Sequence, residues 1–316
     1  MRATVAGATG FVGRALVKHL REHGSYVRPV SRSLGFDLRN PDEAYLATDD
    51  VDHVFNLAAQ VGGIGFIEAN DADCIFSSVI NANLLRACAA SRNPPRYFYA
   101  SSSCVYPGGP YPMQEQQALP AMPHTGYGWD KIFSEQMCWA FEKDKNVPVV
   151  VARFHTLYGP GDSRPTGREH VIEALCKKFV VAKLSGTREI EIWGDGTQTR
   201  SFLYIDDCVE GILRMADVRG YVRHLPALNL AHPKPYSVNE IVDLLEEISG
   251  IHPLRHYQAN APTGILHKTS DNAALRAALN WEPPTLLPYG LEKTYRDLFD
   301  RALRNDVWQT SHLDTR

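Results

Sequence analysis

No stretch of this 316-residue sequence approaches the roughly 20 consecutive apolar residues that a helix needs to cross a bilayer. Charge of one sign is also never concentrated. The 33 Lys and Arg are set against 36 Asp and Glu, scattered along the chain, which argues against nucleic acid or a membrane surface as partner. Cysteine is sparse: the six residues Cys74, Cys88, Cys104, Cys138, Cys176 and Cys208 lie far apart with no Cys-x-x-Cys. Neither a metal site nor a disulfide framework is expected from them, and reduced thiols in the cytosol are. Strand-like residues follow Met1 at once, leaving no room for a signal peptide. These exclusions describe a soluble cytoplasmic protein, and 44% hydrophobic content suffices for one large core or two moderate ones.

What is present is alternation. Short apolar runs at Arg2–Ala6, Tyr26–Val30, 54–57, 97–100 and 147–152 alternate with stretches of helical spacing at 11–23, 73–90 and 129–143. That order predicts an α/β fold, a Rossmann-type parallel sheet with helices on both faces. Residues 107–123 are too dense in proline and glycine for a regular element and read as a loop. Beyond Tyr158-Gly159-Pro160-Gly161 the pattern becomes mixed, with helices expected over 170–182, 206–216, 238–249 and 272–279. A smaller C-terminal α+β substrate domain over the carboxyl edge of the sheet is therefore expected. The division is 1–160 for the dinucleotide-binding domain, with 203–231 returning to it. The substrate domain takes 161–202 and 232–304, and 305–316 form a tail.

Gly7-Ala8-Thr9-Gly10-Phe11-Val12-Gly13 joins the first strand to the first helix. Glycine here permits a tight turn, close approach of backbone to a pyrophosphate and close helix–strand packing, and the helix N-terminus adds partial positive charge. Gly7, Thr9, Gly10, Phe11, Val12 and Gly13 are thus expected to hold a dinucleotide. A carboxylate about 20 residues further on usually reads the ribose diol. This second strand ends Val30-Ser31-Arg32-Ser33 instead, so Ser31 and Arg32 favour a 2′-phosphate, and NADP over NAD. The alternative makes Arg32 a solvated turn residue, with Asp37 and Leu38 at work near the adenine.

Tyr127 and Lys131 share a helix face one turn apart. A tyrosine base must fall from a reference pKa near 10 toward neutrality, a stabilisation of roughly 4 kcal/mol that Lys131 and a positive nicotinamide ring can supply. Ser102 is placed to hold the substrate oxygen on which negative charge develops. Cys104, two residues beyond, adds a second acid/base group beside the same carbon, which points to an epimerase rather than a simple dehydrogenase.

These motifs resemble the extended short-chain dehydrogenases/reductases. More narrowly, Val51–Ala59, Gly62–Ile67, Tyr99–Pro107, Arg153-Phe154-His155, Gly167-Arg168-Glu169, Trp193–Phe202 and Ser270-Asp271-Asn272 resemble the GDP-mannose 3,5-epimerase family. The similarity runs from about residue 3 to 300. Two positions depart from it: His170 stands where that family has a lysine as second acid/base, and Ser31-Arg32 where it has an acidic residue. Both are similar to the GDP-fucose synthases, NADP-dependent epimerase-reductases that pair a cysteine with a histidine.

The resemblance implies that Leu57, Ala58 and Ala59 also meet the cofactor. It implies a substrate grip from Gly62, Gly63, Gly65, Asn83, Ser103, Lys178, Gln198 and Arg200, with Lys268 where the family has an arginine. It further implies a homodimer. Trp139 and Phe141, which read first as helix packing, could join Ile80, Leu84 and Leu85 in its interface. The expected chemistry is inversion of carbon five, with or without carbon three, of GDP-mannose or a close GDP-hexose through a 4-keto intermediate. Tyr127 takes the carbon-four hydroxyl proton, and Cys104 and His170 exchange protons on opposite faces of the ring. The alternatives are an NADPH-consuming epimerase-reductase acting on a GDP-4-keto-6-deoxy sugar and a non-catalytic NADP-binding regulatory protein.

Overall fold

The structure is a computed structural model describing residues 1–109, 112–162, 167–217 and 226–304; the expected tail lies outside the described residues. Its main sheet has six strands, all parallel, in the spatial order Tyr26–Val30, Arg2–Ala6, His53–Asn56, Arg96–Ser102, Val149–Phe154 and Leu228–Leu230. Both faces are covered, which is why the strands read as near-continuous apolar runs. On one face, helices Phe11–Glu22 and Ile205–Ala216 pack Leu16, Leu20, Ile212 and Met215 against Val5 and Phe55. On the other, Pro41–Thr48, Ser78–Ala90 and Gly126–Lys145 bury Ala44, Leu84, Leu85 and Cys138 against Val54, Tyr97 and Val151. Strand order reverses between Arg2–Ala6 and its two neighbours. A crevice therefore opens at the carboxyl ends there, the usual ligand position of such sheets.

Most of the remaining elements gather round a second core containing Ile172, Phe179, Ile241, Leu245 and Leu291, while helix Ala273–Leu279 packs Leu275 into the first. Helices Val171–Ser185, Val238–Ser249 and Leu287–Leu303 supply most of the second core, with the short strands Thr156–Tyr158, Thr199–Tyr204 and Pro235–Ser237, and His267–Lys268 extends their sheet. Glu189–Trp193 pairs in parallel with Leu254–Gln258.

Three expectations change. The single helix expected over 73–90 is two, Asp71–Ile75 and Ser78–Ala90. Through the break, Ser77 N–H bonds to Cys74 O and Val79 N–H to Phe76 O, while the Ser77 hydroxyl accepts from Gln60 N–H at 2.9 Å. The helix Leu287–Leu303 was not expected; Pro288 in its first turn and Leu287, Leu291, Tyr295 and Leu298 along its buried stripe carry the signal. Leu84 and Leu85 are fully buried in their own core, with Ile80, Trp139 and Phe141 packed against it. Exposed apolar side chains of that region include Ile75, Phe76, Trp129 and Phe133. Among the described residues no helix is long and apolar enough to cross a membrane.

Candidate active site

A cleft of about 2150 Å³ lies at the carboxyl ends of the sheet and takes its walls from both cores. Gly7 turns out of the first strand with φ +80, a left-handed conformation that favours glycine. A Cβ on Gly7 would stand 2.8 Å from Leu57 O, and one on Gly13 would stand 2.1 Å from Gly7 O. Two strand ends and the first helix thus meet so closely that only hydrogen fits. Gly10 opens the helix with no side-chain cap, and the first turn holds no acidic residue, so its positive end stays open to an anion. Thr9, Gly10, Phe11, Val12 and Gly13 line the cleft, as do Leu57, Ala58 and Ala59. This cradle fits a dinucleotide pyrophosphate.

Ser31, Arg32, Asp37 and Leu38 line the same end. The Ser31 and Ser33 hydroxyls are 3.0 Å apart, and Ser33 donates to Thr9 Oγ1 at 3.0 Å. Asp37 is turned onto Arg39, whose Nε donates to Oδ1 at 2.8 Å; that bond above all holds its carboxyl down at about 2. Asn83 does not reach the cleft. It is buried, and its amide donates to Leu38 O and Arg39 O at 3.0 Å each, steadying the segment beneath the cofactor end rather than a sugar.

The strand Arg96–Ser102 delivers Ser102 to the centre of the cleft, and a single 3-10 turn, Ser103–Val105, follows it. Ser102 Oγ caps this turn by accepting from Cys104 N–H at 3.2 Å. Helix Gly126–Lys145, capped by the Thr125 hydroxyl, starts against the turn. Gly128 permits the contact, since a Cβ there would lie 2.4 Å from Cys104 O. Tyr127 is thereby brought to Ser102 and Cys104. Lys131 sits one helical turn further on, its Nζ 5.4 Å from the Tyr127 ring centroid and donating to Tyr99 OH at 3.2 Å and Ala100 O at 3.0 Å.

Burial raises the Tyr127 phenol well above its ordinary range, as do negative charge on Cys104 and Asp130, against a favourable hydrogen bond from Ser102. Burial likewise lowers Lys131, opposed by the Asp130 and Glu135 carboxylates. Cys104 behaves differently. Burial would raise its thiol, but the charge of Lys268, hydrogen bonds from Ser102 and Lys268, and the charge of Arg200 together bring it below the ordinary value. It is the half-buried one of the six cysteines, and the other five are buried.

His170 stands at the N-cap of helix Val171–Ser185 and lines the cleft. Gly62 and Gly63 line it beside Ser103 and Gly65. Gly63 N–H donates to Arg168 O at 3.0 Å, and a Cβ on Gly63 would lie 2.2 Å from Glu169 O, so this glycine lets the segment pack against the backbone that carries His170. Lys178, Gln198 and Arg200 also line the cleft, with donors already engaged by backbone. Lys178 Nζ bonds to Glu191 O at 2.7 Å, Gln198 Nε2 to Trp193 O at 2.8 Å, and Arg200 to Thr199 O and Thr263 O at 2.8 Å each.

Sequence reasoning gave no role to two further buried groups. His155 directly follows the strand Val149–Phe154, lines the cleft beside Lys268 and is held neutral by burial and then by that charge, its value down at about 3. Asp130, next to Lys131, is pushed up to about 6 by burial against the attraction of Lys131. Both lie inside segments already singled out, Arg153-Phe154-His155 and Tyr127–Lys131, but only the packed fold shows that they are buried beside the site.

Residues 3–230 match the NAD dependent epimerase/dehydratase family, and the chain belongs to it. It is 34% identical to GDP-mannose 3,5-epimerase 1 of Oryza sativa subsp. indica, over 93% of this chain and 81% of that one. It is 29% identical to GDP-L-fucose synthase 1 of Arabidopsis thaliana, over 92% and 91%. Among solved structures, UDP-glucuronic acid 4-epimerase from Bacillus cereus, in complex with UDP-glucuronic acid and NAD, shares the fold. The TM-score is 0.81 at 24% identity, covering 95% of this chain and 99% of that one.

Proposed function

We infer that this chain is an NAD(P)-dependent epimerase of a GDP-sugar, inverting carbon five, with or without carbon three, of GDP-mannose or a close GDP-hexose. The observation that carries it is one cleft holding a redox set (Ser102, Tyr127, Lys131) and two further proton carriers, Cys104 and His170, from distant segments. A dehydrogenase needs only the first set. The names of the relatives supply the GDP-sugar. The nicotinamide, when bound, supplies the hydride acceptor and a positive charge beside the phenol. Tyr127 takes the hydroxyl proton, Ser102 holds the same oxygen and opposes by its hydrogen bond the rise that burial imposes on the phenol, and Lys131 stands with its Nζ 5.4 Å from the Tyr127 ring centroid. A ketone at carbon four makes the flanking C–H groups acidic enough for Cys104 and His170 to exchange protons there.

The segment 1–160, with 203–231 returning, serves the cofactor, and 161–202 with 232–304 serves the substrate. Ser31 and Arg32, beside Ser33 and without a free carboxylate, favour NADP. Arg32→Ala is expected to weaken NADPH binding about tenfold and NADH binding little, read by fluorescence titration, as loss of one phosphate cation costs about 1.4 kcal/mol. Phe76, Trp129 and Phe133 fit a homodimer contact. The reduced thiols fit the cytoplasm.

The His170 and Ser31-Arg32 positions favour a second reading, the NADPH-consuming epimerase-reductase on a GDP-4-keto-6-deoxy sugar. The two separate in one assay. Conversion of GDP-mannose at constant NADPH absorbance supports the epimerase. Continuous NADPH loss on the 4-keto sugar, with GDP-mannose untouched, overturns it.

A further inference from the structure

Lys268 arrives on the short strand His267–Lys268, which pairs in parallel with Thr199–Tyr204 so that Lys268 lies beside Arg200. Arg200 holds the loop before that strand, donating to Thr263 O at 2.8 Å and Leu266 O at 3.1 Å. From this fixed backbone the Lys268 ammonium donates to Cys104 Sγ at 3.3 Å. An arginine fork gripping phosphate is what the resemblance implies for this position; the contact made is instead a point charge against sulfur.

We propose that Lys268 is a positioning residue that holds the Cys104 sulfur as the thiolate, the form in which this side chain can take up a proton. This assignment rests on Cys104 being an acid/base group of the proposed reaction. The positive groups that face the sulfur favour it. Arg200 adds a second positive charge, with its own value lowered by burial to about 10. Ser102 hydrogen-bonds the sulfur. From the helix side, charge on Cys104 supports the Lys131 ammonium and raises the Tyr127 phenol, so the sulfur is ionised while Tyr127 is neutral. His155, which also faces Lys268, is neutral. An ammonium against a thiol favours the ionised sulfur, which is the basic form.

The step balances. The thiolate forms an S–H bond with the ring proton as the C–H bond breaks, and its electron pair moves into the carbon-four carbonyl as an enolate. Protonated His170 then gives a proton to the other face of the same carbon, restoring the carbonyl with inverted configuration. Cys104 loses its proton to water and His170 regains one.

The test is alkylation of Cys104 by iodoacetamide in the whole protein over a pH series, followed by peptide mass analysis. The other five cysteines are buried and serve as the internal blank. The wild type is expected to react with a midpoint clearly below the ordinary thiol value of about 8.5. Lys268→Met is expected to shift the midpoint upward and slow alkylation at neutral pH about tenfold, one pKa unit. Lys268→Arg is expected to restore it, which a merely structural role would not do. Equal midpoints in the wild type and Lys268→Met would overturn the assignment. Should Lys268→Met fail to fold, a wild-type midpoint at or above the ordinary value overturns it just as well. A low midpoint in a protein that exchanges no proton on any GDP-sugar keeps the pair and rejects the epimerase, so the two failures are distinguishable.

Discussion

Tyr127 and Cys104 share one patch of charge, yet their tasks separate. Tyr127 serves the hydride step and Cys104 the proton step. Tyr127→Phe is expected to remove both hydride transfer and epimerisation, at least about a hundredfold, because no ketone forms without it. Cys104→Ser is expected to abolish epimerisation while hydride transfer to and from carbon four stays measurable by nicotinamide absorbance. Equal loss of both activities would remove Cys104 from its role. At this scale the sequence was most informative for residues whose spacing is dictated by a local element: Gly7, Gly10 and Gly13 round a turn, Tyr127 and Lys131 on one helix face. It was least informative where the partner arrives from far along the chain. Lys268 meets Cys104 through the pairing of His267–Lys268 with Thr199–Tyr204, which no short pattern encodes. Asn83 carried the family's polar residue type but spends its amide on backbone.

Elements hold the site through buried contacts. Glu135, on the Tyr127 helix, accepts from Arg153 Nε at 2.9 Å and Nη2 at 2.7 Å and from the Ser101 hydroxyl at 2.5 Å. Arg153 also donates to Tyr106 OH at 3.0 Å and Glu115 O at 2.7 Å, tying the Cys104 turn to the loop after it. Glu135→Gln leaves a buried guanidinium unpaired, so a loss of about 3–5 kcal/mol is expected in denaturant unfolding. Gly13→Ala is expected to abolish NAD(P) binding in a titration, since its Cβ would lie 2.1 Å from Gly7 O. The alternating strands and helices of the first half were legible because period and length differ clearly between them. The break at Phe76–Ser77 was not, because it depends on a Ser77 contact to the distant Gln60. The short strands of the second core escaped notice because strands of this length leave too few residues to show a period.

For the whole molecule, the cleft is a junction between two cores, and its burial sets the response to pH. His155 falls from its ordinary value of 6.5 to about 3 in the fold. The unfolded chain therefore binds a proton that the folded one refuses in that window, and His155 costs stability progressively as pH drops below 6.5. Asp130, raised to about 6, acts with the opposite sign over the carboxylate range, losing stability as pH rises through it. A His155→Gln variant is expected to show a flatter melting temperature between pH 6.5 and pH 5 than the wild type. A parallel fall in the two proteins would contradict the assignment of His155 as a neutral buried group.

The central claim is a redox-neutral epimerase with its own proton carriers. It is tested most directly by incubation with GDP-mannose in heavy water, without added reduced cofactor, followed by mass and NMR analysis of the sugar. Deuterium is expected at carbon five, and at carbon three if both centres open, with no net change in the nicotinamide. No deuterium at either carbon, from a protein shown to hold oxidised cofactor, would contradict it.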